Sequence, residues 1–377
     1  MFAVQRLDAV CEVSMGQAPG GGAYNDEGDG WPLIAGAGDF GELYPAPKKY
    51  TSEASKLSKP GDIILGIRAT IGVKVLSDSE YCLGRGVAGL RPKANLDTRY
   101  LWHWIEHVRP TLAAKGKGAT FKQVNKQDIG ELEIALPTLP EQRRIAAILD
   151  QADALRAKRR EALVQLDSLT QSIFIEMFGD LFLNSHRYPV SKLGDLCDVR
   201  DGTHDSPKFH SEGYPLVTTK NLRNGQIDLS EVSLISEEDY LAINKRSKVD
   251  MGDILMPMIG TIGNPVLVEM TPEFAIKNMA LIKFLDSSPD RQFILHFLKS
   301  DCFDKIVAKK NKGGTQKFLA LGEIRSLPIP VPPETVQEKF VALMAAIRSL
   351  GEKLEASLSE QNSLFTSLQH CAFRGEL

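Results

Sequence analysis

The sequence predicts an α+β fold in which two similar globular domains are separated by a pair of long antiparallel coiled-coil helices, the whole forming an internal pseudo-twofold repeat. Three observations carry this. Two stretches run in heptads behind helix-start signals. The segment before each is rich in glycine and short apolar runs, which favours strands and tight turns. Motifs then recur in the same order at a displacement of about 186 to 195 residues.

The first domain is expected over residues 1–138. Gly61-Asp62-Ile63-Ile64-Leu65 reads as a turn into a buried strand, and a second strand is expected to end at Ile71-Gly72. Leu101, Trp104, Ile105, Val108 and Leu112 fall at helical spacing, so one amphipathic helix should pack on the sheet. The central helix is expected over 139–180. Thr138-Leu139-Pro140-Glu141 has capping-box form, and Gly179 supplies the stop. Its seam is read as Ile145, Ile148, Ala152, Leu155, Arg159, Ala162, Leu166, Leu169 and Ile173.

The second domain, 181–331, repeats the first. Val4 to Val13 matches Val190 to Val199, Gly61-Asp62-Ile63 matches Gly252-Asp253-Ile254, and Thr70-Ile71-Gly72 matches Thr261-Ile262-Gly263. Between these anchors the two halves differ: Gly20-Gly21-Gly22-Ala23-Tyr24-Asn25 has no likeness to Asp201-Gly202-Thr203-His204-Asp205-Ser206-Pro207. One scaffold carrying two different surfaces is the implication. The last helix, 332–377, should start at a second capping box, Thr335-Val336-Gln337-Glu338, and stop at Gly375. Its seam is read as Phe340, Leu343, Ile347, Leu350, Leu354, Ser357, Gln361, Leu364 and Leu368. Each helix, at roughly 38 residues, would be about 57 Å long. Pairing buries both seams, and the domain between them returns the chain for an antiparallel match.

Composition sets limits. At 377 residues the chain has enough length for two cores. A formal net charge of -3 gives no global attraction to nucleic acid, so any such surface must be local. Five cysteines without a CxxC pair argue against a disulfide framework and fit a reducing cytoplasm. No apolar run approaches a membrane span, and Arg6 and Asp8 interrupt the stretch where a signal peptide would be apolar.

Several motifs imitate catalytic sites. His103-Trp104-Ile105-Glu106-His107 fits a zinc-protease pattern, but the apolar stripe leaves both histidines on the polar side, where they read as solvated. Gly36-Ala37-Gly38-Asp39-Phe40-Gly41 lacks the following helix of a nucleotide loop, and Asn264-Pro265-Val266 lacks the second proline and aromatic of an amino-methyltransferase motif. No catalytic residue and no metal site is assigned. The basic loops are more telling: Lys115, Lys117, Lys122 and Lys126 in one repeat face Lys305, Lys309, Lys310, Lys312 and Lys317 at the same place in the other. Glycines beside them let the backbone approach phosphate, and Thr120 or Thr315 can donate a hydroxyl hydrogen bond. DNA phosphate contacts are therefore assigned to Lys115, Lys117, Thr120, Lys122, Lys310, Lys312, Thr315 and Lys317. Arg68, Arg85, Lys220 and Lys277, after glycine-marked turns or strand ends, are candidates nearer the bases.

Gly202-Thr203-His204-Asp205-Ser206-Pro207, Gly252-Asp253-Ile254-Leu255, Gly314-Thr315-Gln316-Lys317 and Pro140-Glu141-Gln142-Arg143-Arg144-Ile145, duplicated in order with the helices, resemble the specificity subunit of type I restriction-modification systems. The resemblance covers essentially the full length. It implies that 1–138 and 181–331 are target-recognition domains and that the helices are a spacer. It also implies a non-catalytic subunit that reads a split site on double-stranded DNA and directs two methyltransferase subunits and a restriction/translocase subunit to it. The chain itself would need no cofactor; S-adenosylmethionine, ATP and Mg would sit on partners. The alternatives are a coiled-coil adaptor without DNA specificity and a stand-alone DNA methyltransferase.

Overall fold

The structure, a computed structural model, describes residues 2–118, 122–223, 225–258, 264–310 and 319–377. The chain divides into two compact units, Met1–Glu161 with Glu355–Leu377, and Ala162–Leu354. Among the described residues no helix is long and apolar enough to cross a membrane.

Unit 1 contains β1 (Ala3–Arg6), α1 (Leu7–Val10), β2 (Cys11–Met15), β3 (Tyr24–Asn25), β4 (Trp31–Ile34), β5 (Lys49–Thr51), β6 (Ile63–Gly66), β7 (Lys74–Leu76), β8 (Cys82–Leu83), β9 (Val87–Pro92), α2 (Thr98–Ala114), α3 (Lys126–Gly130) and β10 (Glu133–Leu136). One sheet has the order β2-β9-β6-β7 and is antiparallel throughout. A second, β3-β5-β4-β8, contains the parallel pair β4–β8. The strand expected to end at Ile71-Gly72 is instead the turn between β6 and β7: Gly72 takes a positive φ of 87°, and its N–H donates back to Gly66 O at 2.9 Å. With β6 already closed at Gly66, residues 67–72 are free to form a loop.

Unit 2 repeats this plan with β11 (Val190–Lys192), α5 (Leu193–Leu196), β12 (Cys197–Asp201), β13 (Tyr214–Val217), β14 (Leu222–Arg223), β15 (Gln226–Ile227), β16 (Ser233–Ile235), α6 (Glu237–Ser247), β17 (Ile254–Pro257), β18 (Val266–Leu267), β19 (Ala275–Ile276), β20 (Met279–Phe284), α7 (Arg291–Leu298), α8 (Asp301–Lys310), α9 (Leu321–Arg325) and β21 (Pro328–Pro330). The order β12-β20-β17-β18 reproduces the first sheet, and β16-β13-β19 again holds a parallel pair, β13–β19. The small β14–β15 hairpin and α6 occupy the stretch where the two sequences diverge.

The shared Gly-Asp-Ile motif has a structural cause. Gly61 and Gly252 adopt φ of 91° and 94°, conformations that other residues rarely take. The aspartate that follows is buried in both units. Asp62 accepts from Lys59 N at 2.8 Å and from Nε and Nη2 of Arg91 on β9, at 2.8 and 2.7 Å. Asp253 accepts from Asp250 N at 2.7 Å and from Lys283 Nζ on β20 at 2.6 Å. Each carboxylate closes its own turn and fastens it to the neighbouring strand, so the motif serves the scaffold.

The long helices are α4 (Leu139–Phe178) and, numbered last, α9's successor α10 (Glu334–Arg374). Gly179 and Gly375 end them in left-handed conformations, φ 70° and 78°, as C-terminal stops do. In unit 1, early α4 meets late α10: Arg156 Nε donates to Asn362 Oδ1 at 2.8 Å, and its guanidinium lies 4.1 Å over Phe365. In unit 2, late α4 meets early α10, with Phe174 and Phe178 packed on Phe340 at ring distances of 5.5 and 5.1 Å. The inverted order within each pairing makes the helices antiparallel.

Two details of the helices differ from the sequence expectation. Helix α10 begins before Thr335: Pro333 O accepts from Val336 N and Gln337 N, so Thr335 lies in the first turn and the expected capping box does not cap. The seam is also displaced. Leu155, Leu169, Leu343, Leu350 and Leu364 are all more than two-fifths exposed, while Leu149, Phe174, Met344 and Phe365 are buried. The reason is that neither helix faces only its partner. Ile145, Leu149, Phe365 and Ala372 also enter the unit 1 core beside Tyr100 and Trp104, and Phe174, Phe178, Phe340 and Met344 enter the unit 2 core beside Phe293. The buried stripe turns to serve both contacts.

A pair of buried glutamines fixes each helix start to its domain. Gln142 accepts from Asp97 N at 2.8 Å and donates to Pro137 O at 2.9 Å. Gln337 does the same with Asp290 N at 2.7 Å and Pro332 O at 2.9 Å. Asp97 and Asp290 are themselves the N-caps of α2 and α7. Each glutamine thus ties a long helix to the cap of a domain helix.

Candidate nucleic-acid interface

In unit 1 the candidate cations converge through backbone pairing. Lys117 and Gln123 pair through the backbone: Lys117 N donates to Gln123 O at 3.0 Å, and Gln123 N returns a bond to Lys117 O at 2.9 Å. This pair is stitched to the loop after β6, since Val124 N donates to Ile67 O at 3.1 Å and Ala69 N to Lys122 O at 3.2 Å. Arg68 Nε reinforces the junction with a bond to Gln123 Oε1 at 2.6 Å. One strand further, Ile67 N donates to Gly86 O at 3.0 Å, which places Arg85 beside this loop. The close approach requires glycine, because a Cβ at Gly86 would collide with Ala35 O. Arg68, Arg85, Lys117 and Lys122 therefore share one edge, with Arg85, Lys117 and Lys122 exposed. Lys115 stands apart as the half-buried C-cap of α2. Thr120 lies outside the described residues.

Unit 2 uses the same stitch: Leu319 N donates to Met258 O at 2.9 Å, the counterpart of the bond between Val124 and Ile67. Lys312, Thr315 and Lys317 lie outside the described residues, as does the side chain of Lys310, whose backbone closes α8. Lys277 and Lys220 are described. Because β13 and β19 run parallel, their C-terminal ends coincide and bring together Lys277, directly after β19, and Lys220, in the 3-10 turn after β13. Lys277 N donates to Val217 O at 3.0 Å, and its ammonium reaches Ser206 Oγ at 2.5 Å. In the parallel pair of unit 1 the matching bond after β8 is made by Gly84, whose N–H donates to Ile34 O at 2.9 Å, and Arg85 follows it.

The Gly202-Thr203-His204-Asp205-Ser206-Pro207 segment wraps this end of unit 2. Gly202 lies so close to Ile276 that a Cβ would stand 2.5 Å from its carbonyl oxygen. His204 bridges Asn278 Oδ1 at 2.9 Å and Asp201 Oδ2 at 3.1 Å. Arg246 of α6 also holds Asp201, at 3.0 Å, and donates to Gly202 O at 3.1 Å. Sequence reasoning noted the motif but missed its partners. Arg246 and Asn278 carry no local signal, since only the fold brings α6 and the β19 exit to residues 201–206.

The His-x-x-Glu-His pattern dissolves in the structure, and its expected solvation is incorrect. His103 is 1% exposed and bonds Asp150 Oδ1 at 2.7 Å, a carboxylate that Arg99 also holds. Burial lowers the His103 pKa below the ordinary histidine value, with Asp150 opposing, and burial does the same for half-buried His107, which packs 5.1 Å from Phe373. The side of α2 that carries His103 and His107 faces α4 and α10, so the side that reads as polar in the sequence is an interior side. His296, the matching residue of unit 2, is pushed down to about 4 by burial against Phe174 and Phe340. Among the described residues no cluster of three metal-ligating side chains occurs.

The family description that matches the sequence is the type I restriction modification DNA specificity domain, over residues 2–165 and again over 187–361. The chain belongs to this family. Its two matches fall on the two repeats, and two specificity domains in one chain fit recognition of a two-part DNA target. Members are the non-catalytic specificity subunits of restriction-modification complexes, whose other subunits carry the enzymatic activity. The chain is 24% identical to the type I restriction enzyme EcoBI specificity subunit of Escherichia coli, covering 98% of this chain and 85% of that one. It is 23% identical to the EcoKI specificity subunit of Escherichia coli K12, covering 90% and 79%. A 163-residue stretch is 33% identical to a protein named as the MjaX specificity subunit of Methanocaldococcus jannaschii, covering 43% of this chain and only 38% of that one. In fold it is similar to the S subunit of a type I system from M. genitalium, with a TM-score of 0.53, 17% identity and coverage of 99% and 96%. A chain from a structure of type I R-M complex assembly gives 0.64 at 18% identity, covering 100% and 98%.

Proposed function

We propose that each unit reads one half of a split sequence on double-stranded DNA and that the helix pair sets the number of base pairs between the halves. The observation that carries this is the loop cluster built at the same place in both units, where two parallel strands end, but with different side chains. Arg85, Arg68, Lys117 and Lys122 line it in unit 1, and Lys277, Lys220 and the His204 loop line it in unit 2. Lys117 and Lys122 anchor phosphates, while Arg68, Arg85, Lys220 and Lys277 lie nearer the base edges. Lys115, Thr120, Lys310, Lys312, Thr315 and Lys317 complete the phosphate contacts. Half-sites presented on the same face of a duplex lie about one turn, roughly 10 base pairs, apart.

Two methyltransferase subunits and a restriction/translocase subunit complete the assembly in this reading, and the exposed leucines of α4 and α10 offer apolar surface for the former. S-adenosylmethionine, ATP and Mg belong to those partners, and the complex works in the cytoplasm. Mapping methylated bases in cells with and without this chain tests the reading. A split motif that disappears on deletion is expected; an unchanged methylation map would contradict it.

A further inference from the structure

Beyond the cations, the end of unit 2 that holds Lys277 carries an unusual group. Phe209 is 62% exposed although it lies on a loop that the fold restrains at both ends. At one end Thr203 N donates to Ile276 O at 3.0 Å and Asn278 N to Thr203 O at 3.0 Å; at the other, His210 N donates to Leu234 O at 2.9 Å. Lys277 pins the middle through Ser206. Both anchors belong to the sheet β16-β13-β19, so the phenyl ring is held at the same small sheet whose parallel strands deliver Lys277 and Lys220. Exposed Lys208 and His210 flank it, which surrounds the ring with groups suited to phosphate and leaves it without an apolar neighbour among its chain neighbours.

An exposed phenyl ring on a restrained polar loop gains free energy only when a partner covers it. We propose that Phe209 is a specificity-determining residue of unit 2, whose ring is covered by the base edges of its half-site, through apolar contact of the kind a thymine methyl offers in the major groove. This rests on the DNA-reading function proposed above. Lys208 then holds a neighbouring phosphate, while Lys277 stays nearer the base edges. The corresponding stretch of unit 1, between β2 and β4, carries no phenylalanine and presents Tyr24 on the short strand β3 instead, so the phenyl contact belongs to the half-site of unit 2.

The test uses the full chain assembled with its methyltransferase partner and a duplex carrying the motif mapped in cells. Phe209→Ala is expected to weaken binding of that duplex about tenfold while leaving binding to unrelated DNA, and its salt dependence, unchanged. Phe209→Leu should keep most of the affinity. The mapped motif should loosen at one or two positions of a single half. Equal losses on specific and unrelated DNA, or no loss on either, would overturn the assignment. If the unaltered complex itself failed to prefer its mapped motif, the DNA-reading function would fail instead, so the two failures are separable.

Discussion

Replacing Lys117 and Lys122 together with glutamine should lower DNA affinity about thirtyfold at 0.15 M salt. The figure follows from counterion release, in which each lost phosphate contact removes about 0.9 from the slope of log K against log salt. Two contacts give a slope smaller by roughly 1.8 and, at that salt, about one and a half decades of binding. The two side chains act together because the pairing of Lys117 with Gln123 brings them to one edge. A salt titration of binding measures the slope directly. Affinity that falls without a change in slope would mean that the double variant damaged the loop and that these groups do not meet phosphate.

The second large effect is expected at Phe340. Its ring is fully buried between Phe174 and Phe178 of α4 and stands 5.2 Å from His296 of α7, so one side chain joins both long helices to the unit 2 core. Phe340→Ala removes that ring and leaves a cavity walled by rigid aromatics that cannot collapse, a loss of about 4 kcal/mol. Against a typical domain stability of roughly 5–15 kcal/mol, this leaves unit 2 marginal. The chain's three tryptophans, Trp31, Trp102 and Trp104, all lie in unit 1. In urea, far-ultraviolet circular dichroism should therefore lose part of its signal well before tryptophan fluorescence changes. Coincident transitions at the unaltered midpoint would show that Phe340 does not hold unit 2 together.

Local signals in the sequence were readable where the physics is local. Gly179 and Gly375 stop their helices because a left-handed residue is needed there whatever the tertiary context. The repeat was readable because motifs such as Gly61-Asp62-Ile63 and Gly252-Asp253-Ile254 serve one turn geometry twice, although their tie to Arg91 and Lys283 on a neighbouring strand was not. Burial failed where a helix meets more than one partner. His103 has polar neighbours on its helix, yet Asp150, 47 residues on, turns it inward. Leu155 and Leu364 fit heptads but lie outside, because the stripe rotates to let Arg156 cover Phe365 and to feed the domain cores. At Thr335 a good capping sequence lost to Pro333 and Glu334, which had already begun the helix. In the candidate interface, Arg68, Arg85, Lys117 and Lys122 were readable as basic residues beside glycines. Arg246, Asn278 and the setting of Phe209 depended on pairing across the sheet and had no sequence neighbour to announce them.

The division of labour between domains and helices is tested most directly by lengthening both α4 and α10 by one turn, at matched positions, and mapping the methylated motif in cells. One turn adds about 5.4 Å, equivalent to one or two base pairs of duplex at about 3.4 Å each. The same two half-sequences separated by a longer spacer are the predicted result. Altered half-sequences around an unchanged spacer would contradict it.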